Sequence, residues 1–355
     1  MRIVRSVVIV MAAALSGCAN LGSEVIRAGR PAYNDAILAT NDEQLLQNIV
    51  RMRFGDGLGF LTVSSVTANV SLTASGSVNL GFGSPSGYQG NLVPFGGTIG
   101  TEQNPTISYM PISGDRVLRQ LASETPLDLA ILSIRAAHLP REAWVWLVRR
   151  VNDIRSPDFL DPPALDVDPR FDEVATLLST LQHRGALYWA RIEGTPPGFG
   201  FVVHGYAGAS AREAARLIEL LGVAKPAREG GDIVVPMVLA AGDPEGDTVA
   251  IETRSLSAMM RLAAASIELP PDTVGAMRFG EPGPAGRAIR IRSSVDRPAR
   301  PRVAVEYRGR WYYVDEADDA SKQWFAMVTL LFSAQVPEPA SAVAPMLTIP
   351  VAGRR

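Results

Sequence analysis

The stretch Ser65–Phe82, SVTANVSLTASGSVNLGF, alternates without a break between two kinds of residue. Its even-numbered positions are apolar or glycine, and its odd-numbered positions up to Asn79 carry hydroxyl or amide groups. A period of two predicts a β-strand with one apolar and one polar face. At roughly 3.3 Å per residue the stretch would extend about 59 Å, whereas ordinary strands contain about 5–6 residues. The sequence therefore predicts an unusually long amphipathic strand.

A turn-rich segment at 83–92 follows this strand, and the chain after it again suits an extended arm. We predict a β-hairpin over about 61–110 whose arms, Ser65–Phe82 and roughly Val93–Met110, are continuous, antiparallel and project from the body of the protein. Placing Phe82 opposite Val93 gives the predicted pairs Leu80–Phe95, Val78–Gly97, Gly76–Ile99, Ala74–Thr101 and Leu72–Gln103. The positions predicted to face a membrane or a partner are Val66, Val70, Leu72, Val78, Leu80, Phe82, Val93, Phe95 and Ile99.

Two interpretations of this hairpin remain open from the sequence. As a soluble arm it would pack on its own body or on a partner's sheet, since small side chains bury little area and the backbone edges need another strand. As a membrane element its apolar distal half matches the 9–11 residues that a tilted membrane strand needs. A single hairpin leaves unpaired backbone groups in lipid, so several copies would have to close into a barrel pore.

The first twenty residues predict where the protein is located. Arg2 and Arg5 precede a nine-residue apolar segment, Val7–Leu15, which has the length and charge of a secretory signal. The next residues complete the tetrapeptide Leu15–Cys18, LSGC, which resembles the lipobox of bacterial lipoproteins. This resemblance implies a signal peptide at 1–17, lipidation of Cys18 and a lipid anchor with linker at 18–30. Because Ala19 and not Asp follows the cysteine, it implies the outer membrane, facing the periplasm, with surface exposure left open.

Composition restricts the possible partners and chemistry. Lys and Arg number 34, Asp and Glu number 36, and the net charge is −2. This balance does not indicate nucleic-acid binding. Cys18 is the only cysteine, so we expect neither a disulfide nor a thiolate metal site in the mature body. The predicted partners are the membrane through Cys18, and a second copy or an envelope protein.

The order of predicted elements indicates an α+β fold. Residues 31–155 are predicted to hold helices that carry the long hairpin, with one helix starting at a capping box of Thr40 and Glu43 and stopping at Gly55. A later helix is predicted over REAWVWLVRRVND (141–153), with Trp144 and Trp146 as core or helix-contact residues. A Pro- and Asp-rich connector is predicted at 156–168. Residues 169–355 are predicted to form an α+β domain with a mainly antiparallel sheet. It is predicted to contain a hairpin that turns at Arg308-Gly309 and a last strand, MLTIPV (346–351).

Three stretches resemble a group of uncharacterised proteobacterial lipoproteins. They are NDEQLLQNIVRMRFGDGLGFLTVSSV (41–66), NPTISYMPISGDRVLRQL (104–121) and VEYRGRWYYVDEADDASKQWFAMVTLLFSAQ (305–335). The likeness covers most of the mature chain in the same order. It implies an envelope location and a shared architecture, and it implies no catalytic residue.

Motifs that would identify an enzyme are missing from the sequence. It contains no P-loop, HExxH, GxSxG or EF-hand signature. The three histidines, His138, His183 and His204, are isolated, and the acidic groups around Asp161 to Asp168 and Asp315 to Asp319 suit a connector and a helix start. We predict no metal, no cofactor and no catalytic residue. The function predicted is a non-enzymatic assembly or scaffold component of the outer membrane; the alternatives are an oligomeric β-barrel pore or export channel subunit, and an envelope enzyme of unrecognised type.

Overall fold

A computed structural model describes most of the chain. The described residues are 21–67, 70–78, 95–103, 106–112, 115–156, 168–193, 198–204, 210–224, 231–240, 247–271, 273–279, 288–335 and 347–350. The helices within them are α1 (Leu21–Phe54), α2 (Asp115–Ala122), α3 (Leu127–Ala136), α4 (Pro140–Leu147), α5 (Pro169–His183), α6 (Ala211–Leu220), α7 (Leu256–Ala265) and α8 (Asp319–Gln335).

The described strands, numbered in chain order, fall into four sheets. They are β1 (Phe60–Thr67), β2 (Val70–Val78), β3 (Phe95–Gln103), β4 (Thr106–Ile112), β5 (Val148–Val151), β6 (Ile154–Arg155), β7 (Leu187–Ile192), β8 (Gly198–Val203), β9 (Ile233–Leu239), β10 (Val249–Thr253), β11 (Arg292–Ser294), β12 (Pro301–Tyr307), β13 (Arg310–Asp315) and β14 (Leu347–Pro350).

The largest sheet has six strands in the order β6-β5-β10-β9-β8-β7. Among its described strands only β9 and β10 pair in parallel, with Val249 opposite Met237. Strands β8 and β9 lie so close that a Cβ on Gly200 would be 2.2 Å from the Val235 carbonyl oxygen, and only glycine avoids that clash. The predicted α+β class with a mainly antiparallel sheet is confirmed.

The chain forms two compact units. The first unit is Met1–Leu58 with Gly114–Val336, and the second is Gly59–Ser113 with Pro337–Arg355. This division differs from the predicted one, which separated 31–155 from 169–355 at a connector. The reason is strand pairing, because β5, which precedes the connector, pairs with β10, which follows it. Residues 157–167 of the connector lie outside the described residues.

Helix α1 begins much earlier than the capping box predicted. Thr40 lies inside the helix, where its hydroxyl donates to the carbonyl oxygens of Ala36 and Ile37, both at 3.0 Å. A threonine hydroxyl satisfied by the preceding turn does not cap a new helix. The predicted linker at 18–30 is therefore helical from Leu21 onward. The predicted end is confirmed, since Gly55 follows the last helical residue with φ +71°.

The core of the first unit is built largely from helix and strand residues with large apolar side chains. Trp144 and Trp146 on α4 are buried, as the sequence predicted. Trp144 stacks on Trp189 of β7 at 5.9 Å between ring centroids, and Trp189 meets Phe201 of β8 edge-on at the same distance. These contacts bury α4 on the six-stranded sheet.

A buried arginine holds the end of α4. The sequence predicted one helix through REAWVWLVRRVND, but the helix stops at Leu147 and continues directly as β5. The guanidinium of Arg254 donates to the carbonyl oxygens of Val145 and Val148 at 2.7 Å each and to the hydroxyl of Ser156 at 2.9 Å. A cation suits the carbonyl end of a helix. This long-range contact ends the helix where the local sequence would continue it.

A three-stranded sheet of order β11-β13-β12 completes the strands of the first unit. Its β12–β13 hairpin turns at Arg308 and Gly309, with φ values of +50° and +75°. Two successive positive values match the twist of a tight hairpin turn. The predicted turn at Arg308-Gly309 is confirmed.

No helix among the described residues is long and apolar enough to cross a membrane.

Candidate assembly surface

The second unit is built on the hairpin that the alternating stretch predicted. Strands β1 and β4 pair antiparallel from Phe60 opposite Ile112 to Thr67 opposite Thr106, and the register shifts between Val63 and Ser65. A shift of this kind marks a bulge, which twists a strand pair. The root of the hairpin is therefore a regular ladder with one irregularity.

Strands β2 and β3 continue the hairpin as a ribbon of nine residue pairs. Val70 lies opposite Gln103, three residues beyond the Thr67–Thr106 pair on each arm, so both ladders share one register. The last described pair is Val78 with Phe95. The two predicted arms thus pair antiparallel in one register wherever they are described. We call β2 and β3 together the ribbon.

The predicted register is wrong by two residues. The register predicted from the sequence paired Val78 with Gly97 and Gly76 with Ile99. In the structure Val78 pairs with Phe95 and Gly76 pairs with Gly97. Side chains in a strand alternate with a period of two, so a two-residue shift leaves every residue on its original face. Alternation alone therefore does not distinguish the two registers.

The C-terminal strand β14 pairs with the second arm of the hairpin. Its four residues run antiparallel to β4, from Leu347 opposite Tyr109 to Pro350 opposite Thr106. The resulting sheet has the order β1-β4-β14. The sequence predicted a last strand at this place but not its partner, because the two strands lie at distant points of the chain.

The ribbon has no further strand beside it among the described residues. The last described pair of the β4–β14 ladder is Pro350 with Thr106, and β3 of the ribbon is described up to Gln103. Both outer edges of the ribbon consequently present backbone donors and acceptors without a strand partner in the described structure.

The predicted face residues divide into two groups. Those in the described strands are Val66 in β1, Val70, Leu72 and Val78 in β2, and Phe95 and Ile99 in β3. Leu80, Phe82 and Val93, the tip at 83–92 and the lipidation residue Cys18 lie outside the described residues.

A polar cluster that the sequence did not predict lies where α1 ends. The Tyr307 hydroxyl donates to Asp56 Oδ2 at 2.5 Å, and Arg308 Nη2 donates to the same oxygen at 2.7 Å. The Tyr307 hydrogen bond, with the charge of Arg308, holds the pKa of the Asp56 carboxyl below its ordinary value. The Arg308 guanidinium also lies 4.6 Å from the centroid of the Phe54 ring. Asp56 belongs to the first stretch that resembles the lipoproteins, 41–66, and Tyr307 and Arg308 belong to the third, 305–335. The sequence carries no other signal that relates these three residues.

Arg53 lies beside this cluster in an apolar setting. Its guanidinium carbon is 5.0 Å from the Phe279 ring centroid, and its Nε and Nη1 have no hydrogen-bond partner in the part of the chain that is described. Burial lowers the pKa of Arg53. The ring face supplies the electrostatic contact that an acceptor would otherwise supply.

Four titratable residues considered from the sequence have partners at helix ends or on the surface, and Asp161 lies outside the described residues. Asp168 caps α5 by accepting from the Arg170 backbone N–H at 3.0 Å, and Asp318 accepts from the Ser321 N–H near the start of α8 at 3.1 Å. His183 contacts the Ser179 carbonyl one turn back, and His204 Nδ1 lies 2.8 Å from Asp232 on the surface. Within the described ranges no three His, Cys, Asp or Glu side chains form a group suited to a metal ion.

No protein-family model, no curated protein and no solved structure matches this chain. A function for it is therefore inferred from the residues and their geometry.

Proposed function

We propose that this protein is a non-enzymatic lipoprotein of the outer membrane that faces the periplasm and assembles with further copies of itself through the ribbon. Cys18 carries the lipid anchor in this proposal, and several acyl chains on one residue give stable anchoring. The protein acts as an assembly or scaffold component of the envelope. If the partner is another envelope protein and not a second copy, measurements of self-association will show it.

The observation that carries the proposal is the two-stranded ribbon. Nine pairs, Val70–Gln103 to Val78–Phe95, run without a third strand in the described structure. An isolated two-stranded hairpin is marginally stable in water, and stability needs a third strand or packing against another element. The small residues Ser71, Thr73, Ala74 and Ser75 offer little apolar area to compensate. A strand from another molecule would supply what the ribbon lacks.

Proline scanning at two neighbours in β2 tests edge pairing. Backbone N–H groups of adjacent residues point alternately toward β3 and toward the open edge. Ala74→Pro and Ser75→Pro therefore remove one inward and one outward donor. We expect both variants of the full-length lipidated protein to have a lower native mass than wild type, measured by light scattering, whereas Ser75→Ala keeps the wild-type mass.

The outcomes of proline scanning are separable. Urea unfolding of the first unit should be unchanged in both variants, which shows that the loss is local to the ribbon. If one proline variant associates like the wild type, the open edge is not used and the proposal fails. If wild type purified alone is monomeric but gains mass with envelope extract and loses that gain in both proline variants, the partner is another envelope protein and not a second copy.

Membrane anchoring is tested by substitution at the lipobox. Cys18→Ala should leave the signal peptide uncleaved or release the chain from sedimenting membranes. The matched variant Ala19→Asp should remain lipidated and shift to the inner-membrane fraction, since the residue after the cysteine sets sorting in the lipoproteins that this signal resembles. Normal maturation and sedimentation of Cys18→Ala would contradict lipid anchoring.

A further inference from the structure

The edge of β4 is a built acceptor for one short strand. It holds Leu347–Pro350 in a defined register along Thr106–Tyr109, while β1 pairs with the opposite edge of the same strand. Strand β4 therefore keeps one partner when β14 leaves. The acceptor site would persist in the open form, ready for another strand of the same kind.

Four described residue pairs join β14 to β4, and none of Leu347–Pro350 is charged. Each backbone hydrogen bond contributes little net free energy because water competes for the same groups, so a ladder of this length opens readily. The pair also joins distant parts of the chain, with residues 336–346 linking α8 to β14. A short strand of this kind is suited to exchange.

We propose that β14 exchanges between copies, so that Leu347–Pro350 of one molecule pairs with the β4 edge of a second. The occupant is a second copy of this chain because the only strand seated on this edge in the described structure is the chain's own, and each copy carries both donor and acceptor. Exchange keeps every residue pair and changes only which molecule supplies it, so it has a low thermodynamic cost. This inference rests on the proposed self-association and adds a second contact to it.

The described β4–β14 pairs define where the exchanged strand lies. An incoming β14 covers Thr106–Tyr109 of β4, whereas the ribbon pairs join Val70–Val78 to Phe95–Gln103. Ribbon pairing and strand exchange therefore use separate segments of the hairpin. One assembly can contain both contacts.

Mixed single-cysteine variants of the full-length lipidated protein test exchange. Thr348 pairs with Ser108 and Ile349 with Ile107. Neighbouring antiparallel pairs alternate between hydrogen-bonded and closer non-hydrogen-bonded geometry, so one of the two pairs suits a disulfide. We mix Ser108→Cys with Thr348→Cys, and separately Ile107→Cys with Ile349→Cys, and oxidise both mixtures. We expect a disulfide-linked dimer in one of them.

Two controls make the result specific. The off-register mixture of Thr106→Cys with Thr348→Cys should give no dimer above the wild-type background, which also accounts for Cys18. The two double variants, Ser108→Cys/Thr348→Cys and Ile107→Cys/Ile349→Cys, are oxidised separately. The one whose residue pair has the geometry for a disulfide should form it within a single chain. Absence of that internal disulfide from both double variants would overturn the β4–β14 pairing and exchange with it.

Failure of exchange is distinguishable from failure of the proposed function. If the double variants form their internal disulfide and wild type self-associates, but no mixture gives a linked dimer, exchange is overturned and ribbon assembly stands. A linked dimer from mixtures whose ribbon carries Ser75→Pro would support exchange even where ribbon assembly has failed.

Discussion

Strands β8 and β2 are both paired antiparallel, but they differ in what lies beside them. Strand β8 is paired on both edges, by β7 and β9, and Phe201, Val202 and Val203 on it are buried. Strand β2 pairs with β3 alone within the described residues. The first unit thus supplies both neighbours of its central strands, whereas the second unit leaves the ribbon without a third strand.

The sequences of the two strands reflect this difference. Strand β8 reads GFGFVV and ends in an apolar run, as expected of a strand buried on both faces. Strand β2 reads VSLTASGSV, in which every second residue is polar and most are small. A long regular alternation therefore predicts a strand without predicting its stability. In the proposed function the ribbon therefore pairs with a partner, whereas the first unit is complete without one.

The largest expected effect is a loss of stability of the first unit when Arg254 is replaced. Arg254→Met keeps the length of the side chain and removes its donors to the carbonyls of Val145 and Val148. We expect the free energy of unfolding to fall by about 3–5 kcal/mol, because each buried acceptor without a donor costs about 1–3 kcal/mol. Urea unfolding followed by tryptophan fluorescence measures the loss.

Arg261→Met on the exposed face of α7 is the matched control for Arg254→Met and should change stability by no more than about 0.5 kcal/mol. Self-association of the ribbon should survive Arg254→Met at temperatures where the first unit remains folded. Equal stability of the two variants would show that Arg254 does not hold the α4–β5 junction.

A lysine pair distinguishes a scaffold ribbon from a pore. Val78 pairs with Phe95 and its neighbour Ser77 with Gly96. In a bilayer, Val78→Lys on the apolar face would cost about 2–4 kcal/mol at the midplane, whereas Ser77→Lys on the other face would be mild. For a scaffold we expect no liposome conductance from wild type and similar folding of both variants.

Conductance in the wild type that is lost in Val78→Lys and kept or altered in Ser77→Lys would contradict the scaffold interpretation and support the pore interpretation. The experiment uses the full-length lipidated protein in vesicles, with Ser77→Ala as the control for changes at this site. Conductance and native mass are measured on the same preparation.

The smallest expected effect concerns the Asp56 cluster. The pKa of Asp56 is lowered mainly by the hydrogen bond from Tyr307, so its stabilising contribution is fully present above the unfolded pKa of about 3.9. That contribution is lost as the pH falls through the lower folded pKa. Tyr307→Phe should therefore be less stable than wild type near neutral pH, and the difference should shrink in acid.

Urea unfolding at a series of pH values between about 2 and 6 spans the unfolded carboxyl pKa and checks this sign. Tyr313→Phe on the adjacent strand is the control and should show a difference that does not change with pH. A Tyr307→Phe difference that stays constant over the whole range would mean that the hydrogen bond to Asp56 contributes nothing.

Several features of the site were accessible from residues alone. The alternation from Ser65 onward predicted the two arms, and Arg308-Gly309 predicted the turn of the β12–β13 hairpin. The Asp56–Tyr307–Arg308 cluster was not predictable, since its members lie far apart in the chain and each has an ordinary local setting.

Local sequence patterns were enough to predict the α+β class, the antiparallel hairpin and the end of α1 at Gly55, because periodicity and special backbone angles are local properties. Tertiary contacts set the two-residue register, the partner of β14 and the end of α4 at Leu147. A shift of two residues leaves every side chain on its original face of the strand. The backbone groups of a strand edge or a helix end can be hydrogen-bonded by many different distant segments. These three features depend on which backbone groups meet in space. Arg254 determines one of them, the end of α4, by donating to the Val148 carbonyl oxygen.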